Sequence, residues 1–228
     1  MPARLRPTAP VAANAIVVGD PGRALLLAQE LLVEPKMSNH ARGLWGYSGQ
    51  TAAGEELTIQ ATGMGGPSAA LVLADLAKLG VKRVVRVGTC VAAGEVAELG
   101  ELLLPSKAIA AGGSAASFGL KAHAAVEPDA ELLSCLREEL QGREAVVASL
   151  DTLPSSTQIP TPAKAADMQT VAVFARAREL GVAAAAVLIV NEADVETLDD
   201  DAVDAAAKRA GHAAIRGLSS LSNPQVKG

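Results

Sequence analysis

The stretch Ala15-Ile16-Val17-Val18-Gly19-Asp20-Pro21-Gly22-Arg23 is an apolar run that meets a glycine and then a helix start. Ala15 to Val18 reads as a buried strand. Asp20 is a good N-cap, and Pro21 suits the first helical position. Leu25, Leu26, Ala28, Gln29, Leu31 and Leu32 continue that helix until Pro35. The unit recurs. Leu57 to Thr62 is a second strand, followed by Gly63-Met64-Gly65-Gly66-Pro67-Ser68 and a helix from Ser68 to about Leu79. Arg83 to Val87 is a third strand, meeting Gly88. A Gly-rich hairpin over Gly43 to Gly54 lies between the first two units. Later strands are predicted at Leu102 to Leu104, Val146 to Ser149 and Val187 to Val190, and helices at Asp129 to Gln141, Asp167 to Leu180 and Asp200 to Ser220. Alternating strands and helices with near-continuous apolar strands predict an α/β fold: a single domain over residues 1–228 with a central mixed, mainly parallel β-sheet flanked by helices. The tail from Ser219 to Gly228 is expected to fray.

Composition narrows the function. The 228 residues carry 20 Lys plus Arg against 25 Asp plus Glu, a net charge of −5, and only 2% are aromatic. A general nucleic-acid binder shows a basic surplus, and a stacking platform for RNA needs aromatics. Half the residues are hydrophobic, so Ala, Val and Leu must build the core. Cys90 and Cys135 make no disulfide framework and fit a reducing compartment. The longest purely apolar run, Val182 to Val190, is far short of the roughly 20 residues of a membrane span. Arg4 and Arg6 ahead of Val11 to Val18 loosely mimic a signal peptide. Pro7, Pro10 and Asn14 interrupt that pattern, and a cytoplasmic protein without membrane or nucleic-acid partners is expected.

Ligands of such sheets bind beyond the carboxyl ends of the strands, where Gly19, Gly63, Gly88 and Asn191 all fall. Glycine admits close approach of a ligand to the backbone, and free N–H groups at a helix start favour an anion. Arg23 and Arg86 adjoin two of these turns, and Thr89 adds a hydroxyl. Arg matches phosphate oxygens in bidentate geometry, so a phosphate pocket is expected. It is neither a P-loop nor a Rossmann fingerprint, because the glycine spacing fits neither. His40, His123 and His212 are scattered, so no metal site is expected. No positioned base accompanies Cys90, which reads as a buried thiol. Asp151, Asp167, Glu192 and Asp194 are the acidic candidates at strand ends, where burial suits a carboxyl for acid catalysis.

Four segments in order, Gly19 to Arg23, Asn39 to Gly49 (NHARGLWGYSG), Ala61 to Ser68 (ATGMGGPS) and Arg86 to Thr89, resemble the hexameric nucleoside phosphorylases. That family comprises bacterial purine nucleoside phosphorylase, uridine phosphorylase and methylthioadenosine-cleaving relatives. The resemblance covers roughly residues 15 to 192. It implies phosphate attack on the ribosyl C1′, with inorganic phosphate as co-substrate and no cofactor. It implies that Gly19, Arg23, Arg86 and Thr89 hold the phosphate, and that Arg42 is lent by a neighbouring subunit in a dimer unit assembled to a hexamer. A dianion held by three arginines is both nucleophile and electrostatic partner of the oxocarbenium-like sugar.

The nucleoside half departs from the family pattern. Asp167, Met168 and Gln169 stand where the family has Glu-Met-Glu around the ribose. Cys90, Val91, Leu153 and Asn191 fall at base-binding positions, with Val91 replacing a glycine and Leu153 a stacking aromatic. The segment from Asp151 to Asp167 is shorter than in the family, and the histidine that many relatives lend across the dimer is missing. Asn191-Glu192 stands where purine enzymes carry Ser-Asp and uridine enzymes Asn-Arg. Glu192, or Asp194 if the loop is shifted, is the expected acid, which favours a purine. Alternatives are a hydrolytic nucleosidase and a non-catalytic phosphate- or nucleotide-binding member.

Overall fold

The computed structural model describes residues 4–92, 97–140, 142–152, 159–193 and 196–222. Strands β1 (Asn14–Val18), β4 (Glu56–Ala61), β5 (Arg83–Ala92) and β10 (Ala183–Ala193) form the centre of one sheet, paired in parallel in the order β4-β1-β5-β10. Antiparallel β3 (Gly46–Gln50) and β2 (Val33–Asn39) extend it to one edge. On the other side lie β6 (Leu102–Ala110), β7 (Ala125–Val126), β8 (Arg143–Ser149), β9 (Ala165–Asp167) and β11 (Glu196–Thr197).

The sheet curls back on itself. β5 pairs with both β9 and β10, β9 with β8, β8 with β6 and β6 with β10, a closed circuit of five strands. Its interior is small and apolar, with Cys90, Ala92, Leu103, Val147, Leu188 and Val190. Closing a sheet removes exposed strand edges. The open part is covered on both faces. Ile16 and Val18 face a core with α1 (Pro21–Leu31), α3 (Ala130–Leu140) and α5 (Asp200–Ser222), while Ala15 and Val17 face α2 (Gly66–Lys78) and α4 (Thr170–Leu180). This is the alternation of a strand buried on both sides.

Four differences from the sequence reading matter. The helix expected to run to Pro35 ends at Leu31, and Val33–Asn39 is an edge strand, where a proline is tolerated because one side of the ladder has no partner. β5 runs five residues beyond Val87, so Gly88 lies inside a strand and makes no turn. β10 likewise continues past Val190 through a bulge, which leaves Asn191 unmatched between the pairs Val190↔Cys90 and Glu192↔Val91. At the C-terminus, α5 remains helical to Ser222, beyond the point where fraying was expected.

Candidate functional site

A cavity of about 550 Å³ opens at the carboxyl ends of β1, β4, β5 and β10, within the roughly 300–1,000 Å³ usual for small-ligand sites. Of the expected site residues, Gly19, Arg86, Thr89, Cys90, Val91, Asp167, Met168, Gln169, Asn191 and Glu192 line it. Met64, unforeseen, also lines it and is 86% exposed. Leu153 and Asp194 lie outside the described residues.

Arg86 is the centre of the inner wall. It is 5% exposed and points from the middle of β5. Its Nη2 donates to Asp167 Oδ2 at 2.9 Å, and its Nη1 donates to Gln169 Oε1 at 2.8 Å. The guanidinium folds back over Gly88, where a Cβ would stand 2.5 Å from Cζ. Gly88 therefore makes room for a side chain, in place of the turn expected from the sequence. A guanidinium has five N–H donors, and the Nε of Arg86 is buried with no partner among the described residues. Burying a cation is costly unless it is paired. Asp167 meets that need and leaves donors over for a second anion.

Asp167 and Gln169 were expected around a ribose, yet both are committed to the protein. Asp167 accepts from Arg86, from Ser149 Oγ at 2.5 Å, and from the Thr170 amide and hydroxyl, capping the first turn of α4. Gln169 donates from Nε2 to Gly63 O at 2.6 Å and Gly65 O at 3.2 Å, and its Oε1 accepts from Arg86 and from Thr62 Oγ1. The two carbonyls explain why an amide stands here: a carboxylate has no donor to offer them. Thr62, Ser149 and Thr170 were missed by the sequence reading. Only Thr170, three residues after Asp167, carried a cap signal.

The outer wall is different. Thr89, Asn191 and Glu192 are partly exposed to the cavity and make no side-chain hydrogen bond among the described residues. Cys90 is buried, with Sγ 3.6 Å from Ile189 O, and burial pushes its thiol well above the usual range, against the pull of Arg86. It is no nucleophile in this state.

The remaining expected phosphate ligands stand apart. The helix-start amides of Gly22 and Arg23 are capped by Asp20, at 3.2 and 2.9 Å, so they are not free for an anion as the sequence suggested. The Arg23 side chain lines an adjoining cavity of about 500 Å³ with Asp20, Asp200 and Asp204. Its Nε is buried without a partner among the described residues. Burial lowers its pKa, Asp20 and Asp204 oppose that shift, and Arg86 is near enough to add to it. Arg42 is exposed, away from this chain's own cavity, in a short turn with a left-handed backbone at φ 62°.

Among the described residues, no group of three or more His, Cys, Asp or Glu side chains is placed to hold a metal ion. Nor is any helix among them long and apolar enough to cross a membrane.

The family described as "Phosphorylase superfamily" matches residues 14–221. A purine nucleoside phosphorylase (DeoD-type) of Oceanobacillus iheyensis is 43% identical over 35% of this chain and 34% of its own length. One from Clostridium beijerinckii is 34% identical over 45% of this chain and 43% of its own length. The aligned stretches thus span about a third to two fifths of these curated relatives. The solved purine nucleoside phosphorylase of Toxoplasma gondii, in complex with immucillin-H, superposes with a TM-score of 0.80 at 18% identity over 92% of this chain and 93% of that one, which shows a shared fold.

Proposed function

The chain belongs to the phosphorylase superfamily, and from that premise we propose that it cleaves the N-glycosidic bond of a nucleoside, a purine by preference, with inorganic phosphate as co-substrate. The observation that carries this reading is the Arg86 guanidinium in the cavity wall, buried, paired with Asp167, bonded to Gln169 and still with an Nε–H that has no partner among the described residues. Thr89 and Gly19 stand beside it. A phosphate there attacks the anomeric carbon. The C1′–N9 bond breaks, its electron pair passes to the base, and the sugar leaves as the 1-phosphate. Arginine stabilises the dianion where charge shifts in the transition state.

Glu192 is the carboxyl group on the outer wall and is proposed to supply a proton to purine N7 as the bond breaks. Asn191, set out of register by the bulge, is proposed to meet the base beside Cys90 and Val91. Relatives named purine nucleoside phosphorylase support the choice of base. No cofactor is required by this chemistry.

Arg42 is proposed to reach the site of a second copy, in a dimer unit that assembles to a hexamer. Its turn is flanked by two exposed apolar residues, Met37 and Trp45, and exposed apolar surface of this kind marks interaction sites. Buried cysteines outside any disulfide, Cys90 and Cys135, go with a cytoplasmic setting, and the family match over 14–221 with reading the chain as one domain.

A second reading, a binding member without turnover, is favoured by one observation: the saturation of Asp167 and Gln169 leaves neither free for sugar hydroxyls. Incubation of a nucleoside panel with and without phosphate, read by chromatography, separates the readings. Base release confined to phosphate-containing reactions is expected. Release without phosphate identifies a hydrolase, and no release from any nucleoside identifies a binding protein.

A further inference from the structure

The segment 4–12 passes from α2 to the β2 edge and on to β4, where the Ala12 amide donates to Thr58 Oγ1 at 2.9 Å, and on its way it meets Asn39 beside the turn that carries Arg42. Asp75 is fully buried in α2 among Val72, Leu73 and Leu76. Its Oδ2 accepts from the Arg4 amide at 2.6 Å and the Leu5 amide at 3.0 Å, and its Oδ1 lies 3.6 Å from the Arg4 guanidinium. Leu5 is 2% exposed and packs into the core over α2. A buried carboxylate is retained only where it is well satisfied, so Asp75 pins the start of the segment.

Past that pin, the segment follows β2. The Thr8 amide donates to Ser38 O at 2.8 Å and its hydroxyl to Met37 O at 3.0 Å. Between these anchors the Arg6 amide donates to Asn39 Oδ1 at 2.8 Å. Asn39 is 2% exposed, and its Nδ2 donates onward to Leu44 O and Ala41 O, the two ends of the turn. Gln60 holds Leu44 O from the other side at 2.9 Å. Arg42 and Gly43 occupy left-handed backbone at φ 62° and 70°. Such a conformation in a non-glycine residue persists only where its surroundings impose it.

We propose that segment 4–12 is a clasp and that Asn39 is a positioning residue, which transmits the clasp to the Arg42 turn and sets the anion contact made in a neighbouring copy. This rests on the reading above that Arg42 serves a second subunit. The two ends of the Asn39 amide have separate roles, since the carbonyl oxygen faces the segment and the nitrogen faces the turn. Asn39→Asp therefore keeps the acceptor for Arg6 and sets a carboxylate against two carbonyls.

The test uses the full chain with Asn39→Asp, Arg42→Ala and the double variant, and two readouts. In hydrogen exchange, the Gly43 and Leu44 amides are expected to exchange about tenfold faster in Asn39→Asp, with α2 amides unchanged as the internal reference. In turnover, the KM for inorganic phosphate is expected to rise about fivefold or more with kcat within about twofold, and Asn39→Asp is expected to add nothing to Arg42→Ala. Unchanged exchange at Gly43 and Leu44 overturns the hold of Asn39 on the turn, and with it the reach of the clasp to Arg42. Faster exchange with an unchanged phosphate KM, or an equal effect of Asn39→Asp in the Arg42→Ala background, overturns the positioning role. If Arg42→Ala itself leaves phosphate KM unchanged, the reading of Arg42 falls and the positioning role with it, while the exchange result still decides whether Asn39 holds the turn.

Discussion

The two walls of the cavity are built on opposite rules. On the inner wall, Arg86, Asp167 and Gln169 are buried, and Asp167 and Gln169 spend their polar groups on protein. On the outer wall, Thr89, Asn191 and Glu192 are partly exposed and make no side-chain hydrogen bond among the described residues. A saturated group confers order, and an unsatisfied one is available for chemistry. The inner wall is therefore scaffold and electrostatic platform, with the spare donors of Arg86 as its offering to a ligand. Under the proposed function, the outer wall holds the groups that change partners during the reaction.

The contrast breaks most visibly at Arg86. Arg86→Ala leaves Asp167 buried without its cation, and the stability measured by denaturant titration should fall by about 3–5 kcal/mol. A loss below about 1 kcal/mol would show that the inner wall is not held by this pair. Glu192→Gln is the counterpart. Its kcat for a purine nucleoside should fall about a hundredfold, with stability changed by no more than about 0.5 kcal/mol. Steady-state kinetics and thermal unfolding check the two halves, and an unchanged kcat in an active wild type removes the acid role.

Gln169→Ala sharpens the contrast at the inner wall. It strips the donors from Gly63 O and Gly65 O and should cost about 1–3 kcal/mol in the same titration. An equally stable variant would mean that Gln169 is available to a ligand after all. The smallest effect belongs to Cys90. Its native thiol pKa is raised by burial, so the unfolded chain loses that proton first as pH rises through about 8.5. Stability should be unaffected below that pH and decline above it. Cys90→Ala should flatten the decline in pH-dependent unfolding, and an identical slope would locate its source elsewhere.

Much of this is legible in the chain. The units at Ala15 to Arg23 and Leu57 to Leu79 declare themselves through strand period, glycine and cap, and they locate the cavity. Arg86 and Thr89 can be picked out because an arginine inside a buried strand is unusual. Gly88 reads as a turn because its purpose, room for a guanidinium folded back along the same strand, depends on side-chain packing that no local pattern encodes. The saturation of Gln169 is hidden for a related reason: Gly63 and Gly65 lie 106 and 104 residues away in sequence. Val33–Asn39 is hidden by Pro35, which argues against a strand except at an edge, and edges are set by topology. Asn191 and Glu192 fall at the right place but read as a loop, since a bulge keeps them in the strand while altering their register.

Calorimetric titration of inorganic phosphate into the wild-type protein and into Gly88→Ala probes the proposed phosphate platform itself. That variant keeps every charge and displaces the Arg86 guanidinium, because the new Cβ falls 2.5 Å from its Cζ. One phosphate per chain is expected in the wild type, with affinity reduced about tenfold or more in the variant, the loss of a charge-assisted bidentate contact. Equal phosphate affinity in the two proteins, or none in the wild type, would contradict a phosphate site built on Arg86.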